Sequence, residues 1–265
     1  MNIVVCIKQV PDTAEIRIDP VTNTLIRDGV PSIMNPYDQY ALEAALEIKD
    51  ATGAKVTVLS MGPPQAKEVL KDAIAMGADA VALISSRAFG GADTLATSAT
   101  LAAAIKKVGA VDLVLCGKQA VDGDTAQVGP ELAEHLGLPQ ITGATKLVIE
   151  GDKILVNREN EVTTQTLSVK FPALVTVARS EKEPRFASIK GKMKARKAEI
   201  PSWDEKAIDI SNDIIGLAGS ATKVMNVFTP PVPVVHSEIF TAGDEPEAAV
   251  DQLVAKLIEQ KIITR

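Results

Sequence analysis

The chain has 265 residues, of which 46 % are apolar but only 3 % aromatic, and its formal net charge is −6. This length suits one large α/β unit with an appendage, whose interior is built from Ala, Val, Ile and Leu. The acidic balance argues against general nucleic-acid binding. The sequence has no targeting pattern and no apolar run near the roughly 18 residues that a membrane span needs, so we expect a cytoplasmic protein.

Strands and helices alternate through the first half of the chain. A compact β-branched run predicts the first strand at 2–8, and the polar residues around Asp19-Pro20 and Asp28-Gly29 predict a hairpin excursion after it. Asn35 and Pro36 have the pattern of a capping residue followed by proline at the first helical position, in a helix that ends at Gly53. The periodicity then predicts, in order, strand 56–61, helix 64–76, strand 80–84, helix 93–108, strand 113–116 and helix 127–136.

Four strands joined by helical crossovers predict an α/β fold with a doubly wound, mostly parallel sheet, Rossmann-like and of the adenine-nucleotide-binding type. Beyond Pro139 an antiparallel extension is predicted, with strands at 145–149, 153–158, 163–169 and 173–177. Regular patterning fades beyond Phe186, and prolines 230, 231 and 233 lead to a C-terminal helical arm with an amphipathic helix at 245–259, which packs on a partner or on its own body. We therefore expect three parts, at 1–185, 186–229 and 230–265.

The loops that follow the strands are the candidate binding segments, because ligands of an open parallel sheet bind outside the carboxyl ends of its strands. The loop after strand 113–116 is rich in small, hydroxyl and amide residues and leads into a helix, so its N–H groups suit a phosphate or an adenine edge. Its residues are Gly117, Lys118, Gln119, Ala120, Val121, Asp122, Gly123, Asp124, Thr125, Ala126, Gln127 and Val128. The alternative is a capped turn in which the acidic and hydroxyl side chains satisfy helix-end donors.

A second glycine-containing turn precedes the helix at 93–108. Gly91 and Ala92 allow a close backbone approach, and Asp93 and Thr94 begin a helix whose positive end suits a pyrophosphate, with Thr97 one turn further along. The alternative is that Asp93 or Thr94 is an ordinary N-cap.

Several common chemistries lack their sequence patterns. The first strand is not followed by Gly-x-Gly-x-x-Gly, and the chain has no Walker sequence, which disfavours the common dinucleotide and triphosphate sites. His135 falls within a predicted helix and His236 in the linker, without a nucleophile arrangement, so hydrolytic chemistry is disfavoured. Cys6 and Cys116 lie in apolar runs without a metal or redox spacing, and we expect buried, reduced thiols and no metal site.

Spaced motifs over residues 1–200 resemble the electron-transfer flavoprotein β subunit. They are Cys6-Ile7-Lys8-Gln9-Val10-Pro11-Asp12, Met34-Asn35-Pro36-Tyr37-Asp38, Ala75-Met76-Gly77-Ala78-Asp79, Gly117-Lys118-Gln119-Ala120, the run 171–177, Glu183-Pro184-Arg185-Phe186 and Met193-Lys194-Ala195-Arg196-Lys197. The resemblance implies a heterodimer with an α subunit that carries FAD. It also implies a second adenine nucleotide in this subunit, held by Cys6, Asn35, Pro36, Tyr37, Asp38, Met61 and residues 117–128.

The second nucleotide is AMP in ordinary members of that family and FAD in its electron-bifurcating branch. The run 87–98 resembles the motif of that branch, and Gly123 stands where AMP-binding members tend to carry another acidic residue, which leaves room for a flavin chain. The resemblance thus implies FAD, NADH as transient donor, an acyl-CoA dehydrogenase-type partner, and ferredoxin or flavodoxin as low-potential acceptor. No catalytic residue is assigned, because the electron chemistry belongs to the flavin ring.

Two alternatives stay open. Within the family, the chain is a non-bifurcating carrier subunit with structural AMP. Outside it, the chain is a stand-alone ATP- or AMP-binding α/β module, since a fold does not determine a function.

A basic segment from Arg185 to Lys197 contains six cations and no acid. It resembles the family's recognition loop, in which an apolar residue, here Ile189, anchors in a partner dehydrogenase. The resemblance assigns partner binding to Arg185, Ile189, Met193, Lys194 and Lys197. Positive charge around an apolar tip steers an acidic partner quickly and releases it readily. The alternative is a solvated basic loop, because Lys190-Gly191-Lys192 departs from the usual pattern around the anchor.

Overall fold

The computed structural model describes residues 1–12, 31–180, 182–226, 228, 231, 234, 237–241 and 246–264. The chain divides into two compact units, Met1–Asn226 and Val227–Arg265. The hairpin predicted around Asp19 and Asp28, the prolines at 230 and 233, and His236 lie outside the described residues. Over the described ranges, no helix is both long and apolar enough to cross a membrane.

The elements follow the predicted alternation. The strands are β1 (Asn2–Ile7), β2 (Gln9–Pro11), β3 (Ser32–Met34), β4 (Lys55–Met61), β5 (Ala80–Ile84), β6 (Leu113–Gly117), β7 (Gln140–Glu150), β8 (Lys153–Glu159), β9 (Thr164–Lys170), β10 (Ala173–Val177) and β11 (Ser202–Trp203). The helices are α1 (Pro36–Thr52), α2 (Lys67–Met76), α3 (Thr94–Val108), α4 (Val128–Leu136), α5 (Ile189–Lys197), α6 (Gly216–Gly219) and α7 (Pro246–Glu259). Of these, α7 belongs to the second unit.

Nine strands form one sheet in the order β11-β5-β4-β1-β6-β10-β7-β8-β9, and β2 pairs with β3 separately. The pairs from β11 to β7 are parallel, and β7-β8 and β8-β9 are antiparallel. The strands β4 and β5 lie on one side of β1 in the sheet. The chain then passes through α3 to β6, which lies on the other side of β1. The topological switch point, where open α/β sheets bind ligands, therefore lies between β1 and β6.

Helices cover both faces of the sheet. Ile3 and Val5 of β1 belong to a core with residues of α1 and α2, whereas Val4 and Cys6 belong to a second core with residues of α3 and α4. This division follows from the alternation of side chains along a strand. The predicted doubly wound, mostly parallel α/β sheet with an antiparallel extension is confirmed.

The prediction for one strand is wrong in its direction relative to its neighbours. Residues 173–177 were assigned to the antiparallel extension, but β10 lies inside the main sheet, parallel to both β6 and β7. All five of its residues are buried, as expected for a strand covered on both faces, whereas burial alternates along β9. The unbroken apolar run Ala-Leu-Val-Thr-Val carries this signal in the sequence.

The region beyond Phe186 is more regular than predicted. Residues 189–197 form α5 instead of a loop, and Ser188 caps it by accepting a hydrogen bond from the Gly191 N–H at 2.9 Å. The buried Ala195 docks α5 on the core shared with α2. The helix lacks a clear apolar stripe because most of its residues are basic, so its periodicity was hidden.

Candidate functional site

The N-terminus of α1 is tied to the two strands that flank the switch point. The Asp38 carboxylate accepts hydrogen bonds from the backbone N–H of Lys8, after β1, at 2.7 Å and of Gly117, at the end of β6, at 3.1 Å. Gly117 has to be glycine, because a Cβ there would lie 2.2 Å from Asp38 Oδ1. These contacts define one edge of a crevice at the carboxyl ends of β1 and β6.

Asn35 has a different role from the predicted capping role. Its side chain makes no capping hydrogen bond to α1. Instead it is fully buried, donates to the Gln119 carbonyl at 2.8 Å and accepts from the Val121 N–H at 3.1 Å. Asn35 therefore fastens the loop after β6 to the start of α1.

Buried titratable groups lie beneath this crevice. Burial raises the pKa of Asp38 from 3.8 to about 7, against the opposing effect of hydrogen bonds from Asn35, Lys8 and Gly117. Cys6 and Cys116 are register partners on β1 and β6 and are both buried. A hydrogen bond with Cys6, together with burial, raises the pKa of the Cys116 thiol. The apolar runs around the two cysteines predict that each is buried, which is confirmed, but they do not reveal that the two are neighbours.

The loop after β6 presents a run of free backbone donors. The N–H groups of Gly123 and Asp124 both bond to the Ala120 carbonyl, and Asp124 and Ala126 have positive φ values of 51° and 54°. Within the described residues, the five N–H groups of residues 125–129 donate to no protein acceptor. The N–H groups of Val128 and Gly129 are the first of α4, so these two donors lie at the positive end of that helix.

The N-terminus of α3 lies beside this loop. The Thr94 hydroxyl is 3.3 Å from Gln127 Oε1 and donates to Glu131 Oε1 at 3.0 Å. Thr94 and Leu95 have N–H groups without an acceptor among the described residues. The structure thus brings the two candidate turns together, with the half-buried Thr97 one turn along α3.

The Asp93 carboxylate binds backbone groups of this chain and caps α3, as the N-cap alternative predicts. Its carboxylate accepts from the N–H of Ala96 at 3.1 Å and of Thr222 at 2.8 Å, and its own N–H donates to Ser220 Oγ at 2.8 Å. Partial burial acts to raise the pKa of Asp93, but the hydrogen bonds from Ala96, Thr222 and Ala221 outweigh it and lower the pKa. Gly91 and Ala92 lead into this cap, and Gly91 has a φ of 74° beside Leu217.

A cavity of about 400 Å³ adjoins the crevice. It is lined by Pro36, Tyr37, Gln39, Tyr40, Val121, Arg179, Glu183 and Pro184. Glu183 accepts from the Tyr40 hydroxyl at 2.8 Å and from Arg179 at 2.9 Å. The sequence did not predict Arg179 as a site residue. Arg179 follows β10, and the sequence placed that strand in the antiparallel extension and not in the parallel sheet, so its carboxyl end was not expected beside the crevice.

Met61, a predicted site residue, is the last residue of β4 and lies half-buried at the same edge of the sheet.

The residues predicted to bind a partner dehydrogenase fall into two groups. Ile189 and Met193 lie on α5 with 82 % and 57 % of their surface exposed, and Lys194 and Lys197 are exposed on the same helix. Arg185 is elsewhere, because its guanidinium group pairs with the buried Glu43 at 2.8 Å and with Asp50 at 2.9 Å.

Comparison with known proteins agrees with this architecture. The electron transfer flavoprotein domain matches residues 22–208. The chain is 53 % identical to an electron transfer flavoprotein subunit beta of Megasphaera elsdenii, over 99 % of the chain and all of the relative. The chain belongs to the electron transfer flavoprotein β-subunit family.

Two other relatives carry different names. The caffeyl-CoA reductase-Etf complex subunit CarD of Acetobacterium woodii is 50 % identical, over 99 % of the chain and all of the relative. Protein FixA of Azorhizobium caulinodans is 44 % identical, over 98 % of the chain and 95 % of the relative. The electron transfer flavoprotein family is thus matched over nearly the whole chain.

Proposed function

We propose that this electron transfer flavoprotein β subunit binds FAD in the crevice between β1 and β6 and forms a heterodimer with an α subunit. In that complex it takes electrons from NADH and divides them between a dehydrogenase and a low-potential carrier such as ferredoxin or flavodoxin. The observation that carries the proposal is the run of N–H groups at residues 125–129 that have no acceptor in the described part of the chain, next to those of Thr94 and Leu95.

Two adjacent sets of donors favour a diphosphate over a single phosphate. Each helix N-terminus offers unpaired N–H groups and a positive dipole end to an anion. The contact of Thr94 with Gln127, at 3.3 Å, places the two ends side by side. Because the Thr94 hydroxyl already donates to Glu131, the donor that Thr94 can offer to a ligand is its backbone N–H group. AMP needs one such set, whereas the diphosphate of FAD uses both.

The remaining site residues position this loop and shape the crevice. Asn35 and Asp38 hold the strand ends and the loop together through buried hydrogen bonds. Asp93 caps α3 and so orders the Thr94 and Leu95 donors. When bound, the flavin itself supplies the redox chemistry, so the chain's contribution is binding, orientation and exclusion of water.

A cofactor count separates this function from the structural-AMP alternative. The heterodimer purified with its α subunit is expected to contain two FAD and to be reduced by NADH. One FAD with one AMP, and no reaction with NADH, would overturn the proposal. A stable nucleotide-loaded monomer that ignores the α subunit in size-exclusion chromatography would favour the stand-alone module.

Gly123 offers a matched test of cofactor choice. A Cβ at Gly123 meets nothing within 4 Å, so a side chain can be introduced there without a clash at its first atom. Gly123→Glu is expected to release the FAD of this subunit and to take up AMP in its place, because a carboxylate beside the donors repels a second phosphate. Gly123→Gln has nearly the same size without the charge and is expected to keep more FAD. Equal FAD contents in both variants and the wild type would contradict the assignment.

The exposed face of α5 supports a transient partner. Ile189 and Met193 form an apolar tip, and the surrounding lysines make it attractive to an acidic surface. The name of the Acetobacterium woodii relative places that protein in a complex with a caffeyl-CoA reductase. An acyl-CoA dehydrogenase-type partner is therefore proposed for this face.

A further inference from the structure

A bidentate ion pair joins the two loops that border the crevice. Lys8 follows β1, and Asp122 lies in the turn after β6. The Lys8 ammonium donates to Asp122 Oδ1 at 2.7 Å and to Oδ2 at 2.8 Å. The Lys8 side chain is 46 % exposed and that of Asp122 is 16 % exposed.

This ion pair is not what fastens the loop. Buried hydrogen bonds from Asn35 hold Gln119 and Val121, and Asp38 holds the backbone of Lys8. Because the Lys8 ammonium group is about half exposed to water, which screens the attraction, the ion pair adds little to stability. The loop therefore keeps its attachment when the ion pair opens.

The ion pair lies close to the free donors of the loop. Asp122 precedes Thr125, the first free N–H, by three residues, which span at most about 10 Å. A phosphate seated on the first of these donors, at Thr125, is thus within reach of the flexible Lys8 side chain. The monoester phosphate of AMP, and the diphosphate of FAD taken as a whole, each carry more negative charge than one carboxylate and attract an ammonium group more strongly.

The geometry points to an exchange of partners at Lys8, and this inference rests on the proposed nucleotide site. The Lys8 ammonium leaves Asp122 and donates to a phosphate group of the bound nucleotide. Asp122 is therefore an internal competitor that lowers the affinity for phosphate-bearing ligands.

Calorimetric titration of the full-length chain with AMP and with adenosine tests the exchange. Lys8→Gln is expected to weaken AMP binding about tenfold or more, because it removes a charged hydrogen bond. Asp122→Asn is expected to strengthen AMP binding by up to about fivefold, the value of an exposed ion pair. Neither variant is expected to change adenosine binding, because adenosine has no phosphate.

A matched control is the exposed pair Lys71–Glu68 on α2, with an Nζ–Oε1 distance of 2.7 Å. Lys71→Gln makes the same change in charge and is expected to leave AMP binding unaltered. If Lys8→Gln weakens AMP and adenosine equally, or if neither variant changes AMP binding, the exchange is overturned while the nucleotide site stands. A wild-type chain that binds neither of these ligands nor FAD overturns the proposed function, and the exchange with it.

Discussion

At the scale of single residues, the burial of Asp38 makes the stability of the fold depend on pH. Its carboxyl is buried, yet both of its oxygens accept backbone hydrogen bonds. Its pKa in the folded chain is about 7, against 3.8 ordinarily, so between these values the folded state keeps a proton that the unfolded state releases. Stability therefore falls as pH rises from about 4 to about 7 and then levels off, as far as Asp38 is concerned.

Asp38→Asn tests this role. An amide has one oxygen, so its NH₂ group faces one of the two N–H donors, and we expect a loss of about 1–3 kcal/mol in the free energy of unfolding at low pH. The loss is expected to shrink as pH approaches 7, because only the wild type loses stability there. Urea unfolding across that pH range measures both. Asp79→Asn is the contrasting control, since hydrogen bonds from Lys49 and Val56 outweigh burial and lower the pKa of Asp79. A pH-independent difference for Asp38→Asn would contradict the role of its ionisation.

At the scale of elements, α5 depends on one close approach. A Cβ on Gly191 would lie 2.0 Å from the Ala75 carbonyl oxygen of α2. Gly191→Ala gains up to about 1 kcal/mol of helix propensity but loses about 1–3 kcal/mol through overpacking, so we expect a net loss of stability. Displacement of α5 also moves Ile189 and Met193, so electron transfer to a partner dehydrogenase is expected to slow.

The control for that prediction is Gly123→Ala, where the added Cβ has open space. Thermal unfolding of the two variants compares the same chemical change with and without a neighbour. A Gly191→Ala chain as stable as the control would show that α5 is not pressed against α2.

Most of the helices and strands of the main sheet could be predicted from the sequence. Local patterns predicted β1, β4, β5, β6 and the helices between them, because strand and helix periodicities differ within a few residues. The pairing of β10 and the helix α5 were missed, since the first depends on neighbours distant in the chain and the second has few apolar residues. Within the site, the loops were predicted from strand ends, but contacts such as Asn35 with Gln119 join residues 84 positions apart. Only the folded register reveals such contacts.

At the scale of the whole molecule, the proposed heterodimer needs a surface on which the α subunit binds. The helix α7 presents Val250, Leu253 and Val254 with 57 %, 44 % and 39 % of their surface exposed. These positions follow the i, i+3, i+4 spacing of one helix face. An exposed apolar stripe of this kind is typical of a protein interface.

Leu253→Lys tests this interface in the full-length chain. A charge in the stripe is expected to weaken association with the α subunit about tenfold or more, as for other buried interface positions. Gln252→Lys adds the same charge on the opposite face of α7 and is expected to leave association nearly unchanged. Size-exclusion chromatography of the mixed subunits, with titration calorimetry for the affinity, compares the two. If both variants bind the α subunit with the same affinity, the apolar stripe contributes no more to binding than the opposite face of α7. The α subunit would then bind on another surface.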